Sequence, residues 1–135
     1  DILDACIVSI DPIARKKSLA VTVSFSDEPL NILCNKSQLG RAFLNILSNA
    51  VRYAKTKIKV TCFADKKNAC VRISDDGCGI EKDDMAHIFD RFYTGKSGNT
   101  GIGLALTHEI ITLHKGDISV YNSNGSIFEI RLPLA

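Results

Sequence analysis

No apolar stretch in this sequence approaches the ~18 residues that a membrane-spanning helix requires, so no membrane contact is expected of it. No run of lysines and arginines forms a basic stripe, and a net charge of +2 is too small to point to nucleic acid. A secretory signal peptide is absent, as are internal repeats, linkers and low-complexity segments. Of the five cysteines (Cys6, Cys34, Cys62, Cys70 and Cys78) no two form a C-x-x-C pair, and the three histidines do not supply zinc-site spacing. Scattered thiols fit a reducing cytoplasm and small apolar packing roles.

What is present is ordinary for a soluble globular protein: 135 residues, 45% hydrophobic and 24% charged. That length makes one domain, residues 1–135, with material for a sizeable core. The chain begins without an initiator Met and in a helical pattern, so it is expected to be an excised piece of something longer.

Leu3, Ile7, Ile10 and Ala14 predict an amphipathic helix over about 1–17, with a kink or break at Pro12. Leu19 to Phe25 alternates as a strand, and Leu30 to Cys34 reads as a short second one. Asn35 with Gln38 resembles a capping box that opens a helix running to about Ala54. A hairpin follows, with Ile58, Val60 and Cys62 on one strand and Val71 and Ile73 on the return, turning at Asp65 to Asn68. A short helix is expected from Glu81 to about Phe89, then a glycine-rich loop over 91–100. A helix over 102–114 ended by Gly116 comes next, and a last hairpin turns around Asn122 to Gly125. These elements predict a two-layer α/β sandwich, with a mixed, mostly antiparallel sheet of about five strands covered on one face by about three helices.

In the central helix, turning ~100° per residue, Gln38, Arg41, Asn45, Asn49 and Arg52 fall within an arc of ~80°. Leu39, Phe43, Ile46, Leu47, Ala50 and Ala54 take the other side. Two amides one turn apart followed by a cation suit a partner carrying a metal ion and phosphates; water is the other partner such a face can have. Gly95-Lys96-Ser97 looks like the end of a P-loop, but Asp90 stands where its first glycine is needed. Neither glycine cluster completes G-x-G-x-x-G, since Lys82 and Leu106 occupy the third glycine positions. Gly101 and Gly103 sit where a loop enters a helix, which favours an anion. Asp75 ends an apolar strand and must be satisfied, by the amine of a base or by a backbone N–H.

The order of these features resembles the ATP-binding catalytic domain of bacterial sensor histidine kinases, of the GHKL superfamily with the Bergerat fold. Asn45-x-x-x-Asn49-Ala50-x-Arg52-Tyr53 resembles the N box and Asp75-x-Gly77-x-Gly79-Ile80 the first glycine box. Ile88-Phe89-x-Arg91-Phe92-Tyr93 resembles the F box. Thr100-Gly101-Ile102-Gly103-Leu104 resembles the second glycine box, and Asn124-Gly125-Ser126-Ile127-Phe128 the last. The resemblance covers essentially the whole chain. It implies that Asn49, with Asn45 beside it, coordinates Mg²⁺ bridging the phosphates of ATP. Asp75 would accept from the adenine amine, Gly77 and Gly79 would let backbone approach the base, Tyr53 would pack near it and Arg52 would contact phosphate. Thr94 to Thr100 would form the lid, with Gly101 and Gly103 cradling phosphates; Ile80, Phe92, Lys96, Thr100, Ile102 and Leu104 complete the implied site. Arg52 stands where the family usually has Lys, and the sequence departs from the family pattern in three further ways: Thr94 replaces a frequent lid Arg, Asn99 the first glycine of the second box, and the lid is short.

The implied activity is protein-histidine kinase: the domain supplies the γ-phosphoryl group of Mg-ATP to a histidine on a separate dimerisation domain of the same homodimeric protein. A response regulator is the implied downstream partner, and the cytoplasmic portion of a membrane-anchored sensor the implied location. None of His87, His108 and His114 resembles an acceptor, so the chain is expected not to phosphorylate itself. His108-Glu109 resembles the start of a phosphoacceptor motif but lacks the proline, and its neighbours are expected to be core residues. A gyrase- or chaperone-type ATPase and a non-catalytic ATP-binding module are the alternatives.

Overall fold

The computed structural model describes residues 2–25, 32–90 and 101–134. Leu3, Cys6, Ile10 and Ala14 recur at three- and four-residue spacing and turn one face of helix α1 (Ile2–Lys16) onto α2 (Lys36–Tyr53). Pro12 neither breaks nor ends α1. The bond it removes is to the carbonyl of Val8, a residue 71% exposed, where water can take over the acceptor.

Strand β1 (Ala20–Phe25) pairs in parallel with β2 (Lys57–Asp65). β2 turns through Lys66, which takes a left-handed φ of 57°, into antiparallel β3 (Asn68–Asp75). After the short helix α3 (Lys82–Met85) and helix α4 (Gly101–Leu113), β4 (Asp117–Asn122) and β5 (Ser126–Pro133) form the closing hairpin. The five strands lie in the order β1-β2-β3-β5-β4. Because β5 inserts beside β3, the hairpin turn at 123–125 arrives next to the end of β3, and this placement builds the site.

Ile58 and Val60 on β2, Val71 and Ile73 on β3, and Phe128, Ile130 and Leu132 on β5 are buried in one core with α1, α2 and α4. The opposite face carries charges: Arg131 bonds Asp65 at 2.6 Å and Glu129 at 2.8 Å, and Arg72 lies over the ring of Phe63. The sheet is therefore mixed, mostly antiparallel and helix-covered on one face, as the sequence predicts.

Two further local expectations fail. Ile32 to Cys34 forms no strand, and residues 30–31 lie outside the described residues. This segment instead packs Ile32 and Cys34 against the core and delivers Asn35 to cap α2, where its side chain accepts from the Gln38 N–H at 3.0 Å. The helix expected from Glu81 to Phe89 shrinks to α3, because Glu81 makes no side-chain cap and single-turn bonds such as His87 N–H to Asp84 O take over.

Candidate functional site

Asp75 is the last residue of β3 and is 7% exposed. Its carboxylate accepts from the Gly77 N–H at 2.8 Å and from the Ser126 hydroxyl at 2.6 Å. The backbone N–H foreseen as one way to satisfy it is therefore present, and the hydroxyl comes from the start of β5. An ionised carboxylate has about four lone-pair sites, so these two donors leave acceptor capacity for a third. Gly77 is buried, and a Cβ there would collide with the carbonyl oxygen of Tyr53 at the end of α2. The glycine thus lets the turn after β3 lie directly against α2. Gly125 presses equally closely on the Asp75 carbonyl, at a φ of 128° that side chains rarely adopt.

Across from this turn, the polar stripe of α2 meets the first turns of α4. The Asn45 amide donates to the Gly103 carbonyl at 3.2 Å and lies 3.3 Å from the Thr107 hydroxyl, which itself bonds Gly103 O at 2.9 Å. With its nitrogen turned to α4, Asn45 has its oxygen as the atom able to face a cation. Asn49, one turn on, is half-buried. The Arg52 guanidinium lies 5.8 Å from the centre of the Tyr53 ring. The Tyr53 hydroxyl is buried and has no hydrogen-bond partner among the described residues. Ile80 packs against the core, and Leu104 is buried on α4.

The structure therefore brings Asn45 to Gly103, and Tyr53 and Asp75 to Gly77. Phe92, Lys96, Thr100, the side chain of Ile102 and the lid expected over 94–100 lie outside the described residues. Gln38 and Arg41 are exposed on the same stripe. His108 is itself exposed on α4, with its ring 5.4 Å from that of Phe89, which packs against the core as expected of its neighbours. His87 bonds Asp90 at 2.8 Å. His114 donates from Nδ1 to the Ile110 carbonyl and accepts the Asn35 N–H at Nε2, tying the end of α4 to the cap of α2.

Sequence reasoning missed three supporting residues. Thr107 had a readable signal, a hydroxyl on the Leu104/Ile111 face of a helix. Asn122 had none beyond its place in a turn. Asp76 could be read only as the second member of an acidic pair. Its carboxylate accepts the backbone N–H groups of Lys55, Thr56 and Lys57 and the Thr56 hydroxyl, pinning the entry of β2 beside the site. The Thr56 hydroxyl, followed by the Thr56 N–H, holds this carboxyl far below the ordinary carboxylate range. A depressed folded-state pKa contributes stability that is complete above the unfolded value of about 3.9 and is lost as pH falls through the folded value. The gap in melting midpoint between the wild type and Asp76→Asn should therefore be constant near neutrality and narrow below about pH 4. A gap that stays equal down to acid unfolding removes Asp76 from this role.

Comparison with known proteins gives a family and a fold. The family described as histidine kinase-, DNA gyrase B-, and HSP90-like ATPase matches residues 34–135. The chain is 36% identical over 110 residues to the sensor histidine kinase RppB of Synechocystis, covering 74% of this chain and 24% of that protein. It is 35% identical over 129 residues to the sensor histidine kinase CpxA of Escherichia coli, covering 90% and 28%. The chain thus spans about a quarter of the length of these curated relatives. Its structure is similar to the catalytic domain of histidine kinase ThkA, with a TM-score of 0.90 and 25% identity over 98% of this chain and 92% of that one. Full-length ShkA in complex with AMPPNP gives a TM-score of 0.87 at 25% identity, over 99% and 29%. By the family match over residues 34–135 and its likeness in sequence and fold to sensor histidine kinases, the chain belongs to the histidine kinase-, DNA gyrase B- and HSP90-like ATPase family, as an ATP-binding catalytic domain of the sensor histidine kinase kind.

Proposed function

We propose that this domain binds Mg-ATP between α2, the turn from Asp75 to Ile80 and the start of α4, and presents its γ-phosphoryl group to a histidine on a separate dimerisation domain. The observation that carries the reading is Asp75, a buried carboxylate with two donors in place and capacity for a third, beside a glycine with no room for a side chain. An adenine amine is the donor such a group would take. Asn49 on α2, with the oxygen of Asn45 beside it, offers the hard oxygen donors that Mg²⁺ prefers. Mg²⁺ typically binds through one or two protein oxygens together with substrate phosphates. Arg52 would contact phosphate, and the first turn of α4, from Gly101, would turn backbone N–H groups to it, as helix N-termini do.

Bound there, Mg-ATP supplies the phosphoryl group, and this chain's part is positioning and charge neutralisation. The amide of Asn45 cannot take a proton from water at neutral pH, and its nitrogen is turned to α4, so a water-activating ATPase has no base at this position. In the whole protein we place the domain in the cytoplasm, within a homodimer whose phosphohistidine passes its phosphoryl group to a response regulator.

Both ring nitrogens of His114 are engaged and His87 faces Asp90, which leaves neither placed as an acceptor. The chain alone, incubated with γ-labelled ATP, should form no acid-labile phosphohistidine. Joined to a helical-hairpin domain carrying an acceptor histidine, it should label that domain. Stable label on the isolated chain, or rapid ATP hydrolysis by it, contradicts the proposal.

A further inference from the structure

The far end of the glycine turn is tied to a strand it does not belong to. Asn122, the last residue of β4, accepts the Ile80 N–H at 3.0 Å and donates to the Ile80 carbonyl at 2.8 Å. Its amide therefore stands in for a strand partner and satisfies both backbone groups of one residue. Gly79 lies against the same amide, where a Cβ would sit 3.0 Å from Oδ1 and 3.2 Å from Cγ. The near end of the turn is held by Ser126 on the Asp75 carboxylate and by Gly125 on its carbonyl. Both ties come from the β4–β5 hairpin, so one hairpin grips the turn on either side of residues 76–79.

We infer that Asn122 is a positioning residue of the nucleotide site: it sets the height of the Gly77-Cys78-Gly79 backbone against the base, and so sets affinity for the base. This rests on the nucleotide reading above. A turn free at Ile80 samples conformations that must be given up on binding, whereas a turn clamped at both ends is already in the binding geometry. Asn122 is exposed, so its side chain can be removed without opening the core. It acts on the base side, and its loss should leave the dependence of binding on Mg²⁺ unchanged.

The test is calorimetric binding of ADP to the full chain, with Mg²⁺ and with chelator. Asn122→Ala should weaken binding about tenfold under both conditions, in line with lost preorganisation. Hydrogen exchange at the Ile80 amide should rise in parallel, with the melting midpoint little changed. Asn122→Asp keeps an acceptor for the Ile80 N–H and should recover part of the affinity. It also serves as the measured variant if alanine lowers the midpoint. Wild-type affinity in Asn122→Ala, or a loss seen only with Mg²⁺, overturns the inference while leaving the nucleotide reading intact. A wild type that binds no ADP overturns that reading first, and this inference with it.

Discussion

Replacing Asp75 by asparagine is expected to weaken ATP binding about ten- to a hundred-fold, because a hydrogen bond to a charged group contributes roughly 1.5–3 kcal/mol. The substitution keeps the shape of the side chain but exchanges one acceptor oxygen for an NH₂ group. Two donors, the Gly77 N–H and the Ser126 hydroxyl, already point at this carboxylate. The hydroxyl can rotate and accept instead, while the backbone N–H cannot. The asparagine amide would therefore turn its oxygen to Gly77 and its nitrogen to Ser126. The fold should survive, and the acceptor for the base would be lost. Titration calorimetry with Mg-ATP on a variant of native circular dichroism checks this, and unchanged affinity removes Asp75 from the site.

Gly125→Ala should act on stability and binding together. Its φ of 128° is strained for any side chain, and a Cβ would collide with the Asp75 carbonyl. Strain of this kind costs of order 1–3 kcal/mol, and relief of the collision must move either the hairpin or Asp75 itself. A total of about 2–4 kcal/mol, corresponding to a fall of roughly 8–15 °C in melting midpoint for a domain of this size, is expected. Nucleotide affinity measured below that midpoint should also fall, because the displaced group is the acceptor proposed for the base. A midpoint close to wild type would mean that the turn relaxes without pressing on β3.

Much of this architecture was legible in the residues. The apolar spacing of α1 and α2, the alternation along β2 and β3, and the Asn35 cap all appear where the local pattern puts them. Local patterns failed where tertiary contacts competed with them. Leu30 to Cys34 suggested a strand, yet its described part, Ile32 to Cys34, leads directly into the Asn35 cap and pairs with no strand among the described residues. Pro12 suggested a kink or a break, yet the helix continues past it, with Leu3, Cys6, Ile10 and Ala14 buried on the side that meets α2.

The site divides in the same way. Asn45, Asn49 and Asp75 could be named as candidates from residue type and spacing, and Gly77 from the family resemblance. Their supports could not. Ser126 reaches Asp75 across 51 residues, Asn122 reaches Ile80 across 42, and Asp76 reaches back to Thr56 across 20. Such partners leave no periodic trace, because nothing local relates their positions.

By itself, then, the sequence determined the faces of the helices and the strands of both hairpins, which follow from local period, and through side-chain chemistry and the family resemblance it offered candidate side chains for a nucleotide. Tertiary structure alone decided the parallel pairing of β1 with β2 and the insertion of β5 beside β3. That insertion brings the last hairpin to the Asp75 turn. The physical reason is that strand order is a choice among long-range pairings of similar local pattern, made by burying one continuous core under α1, α2 and α4.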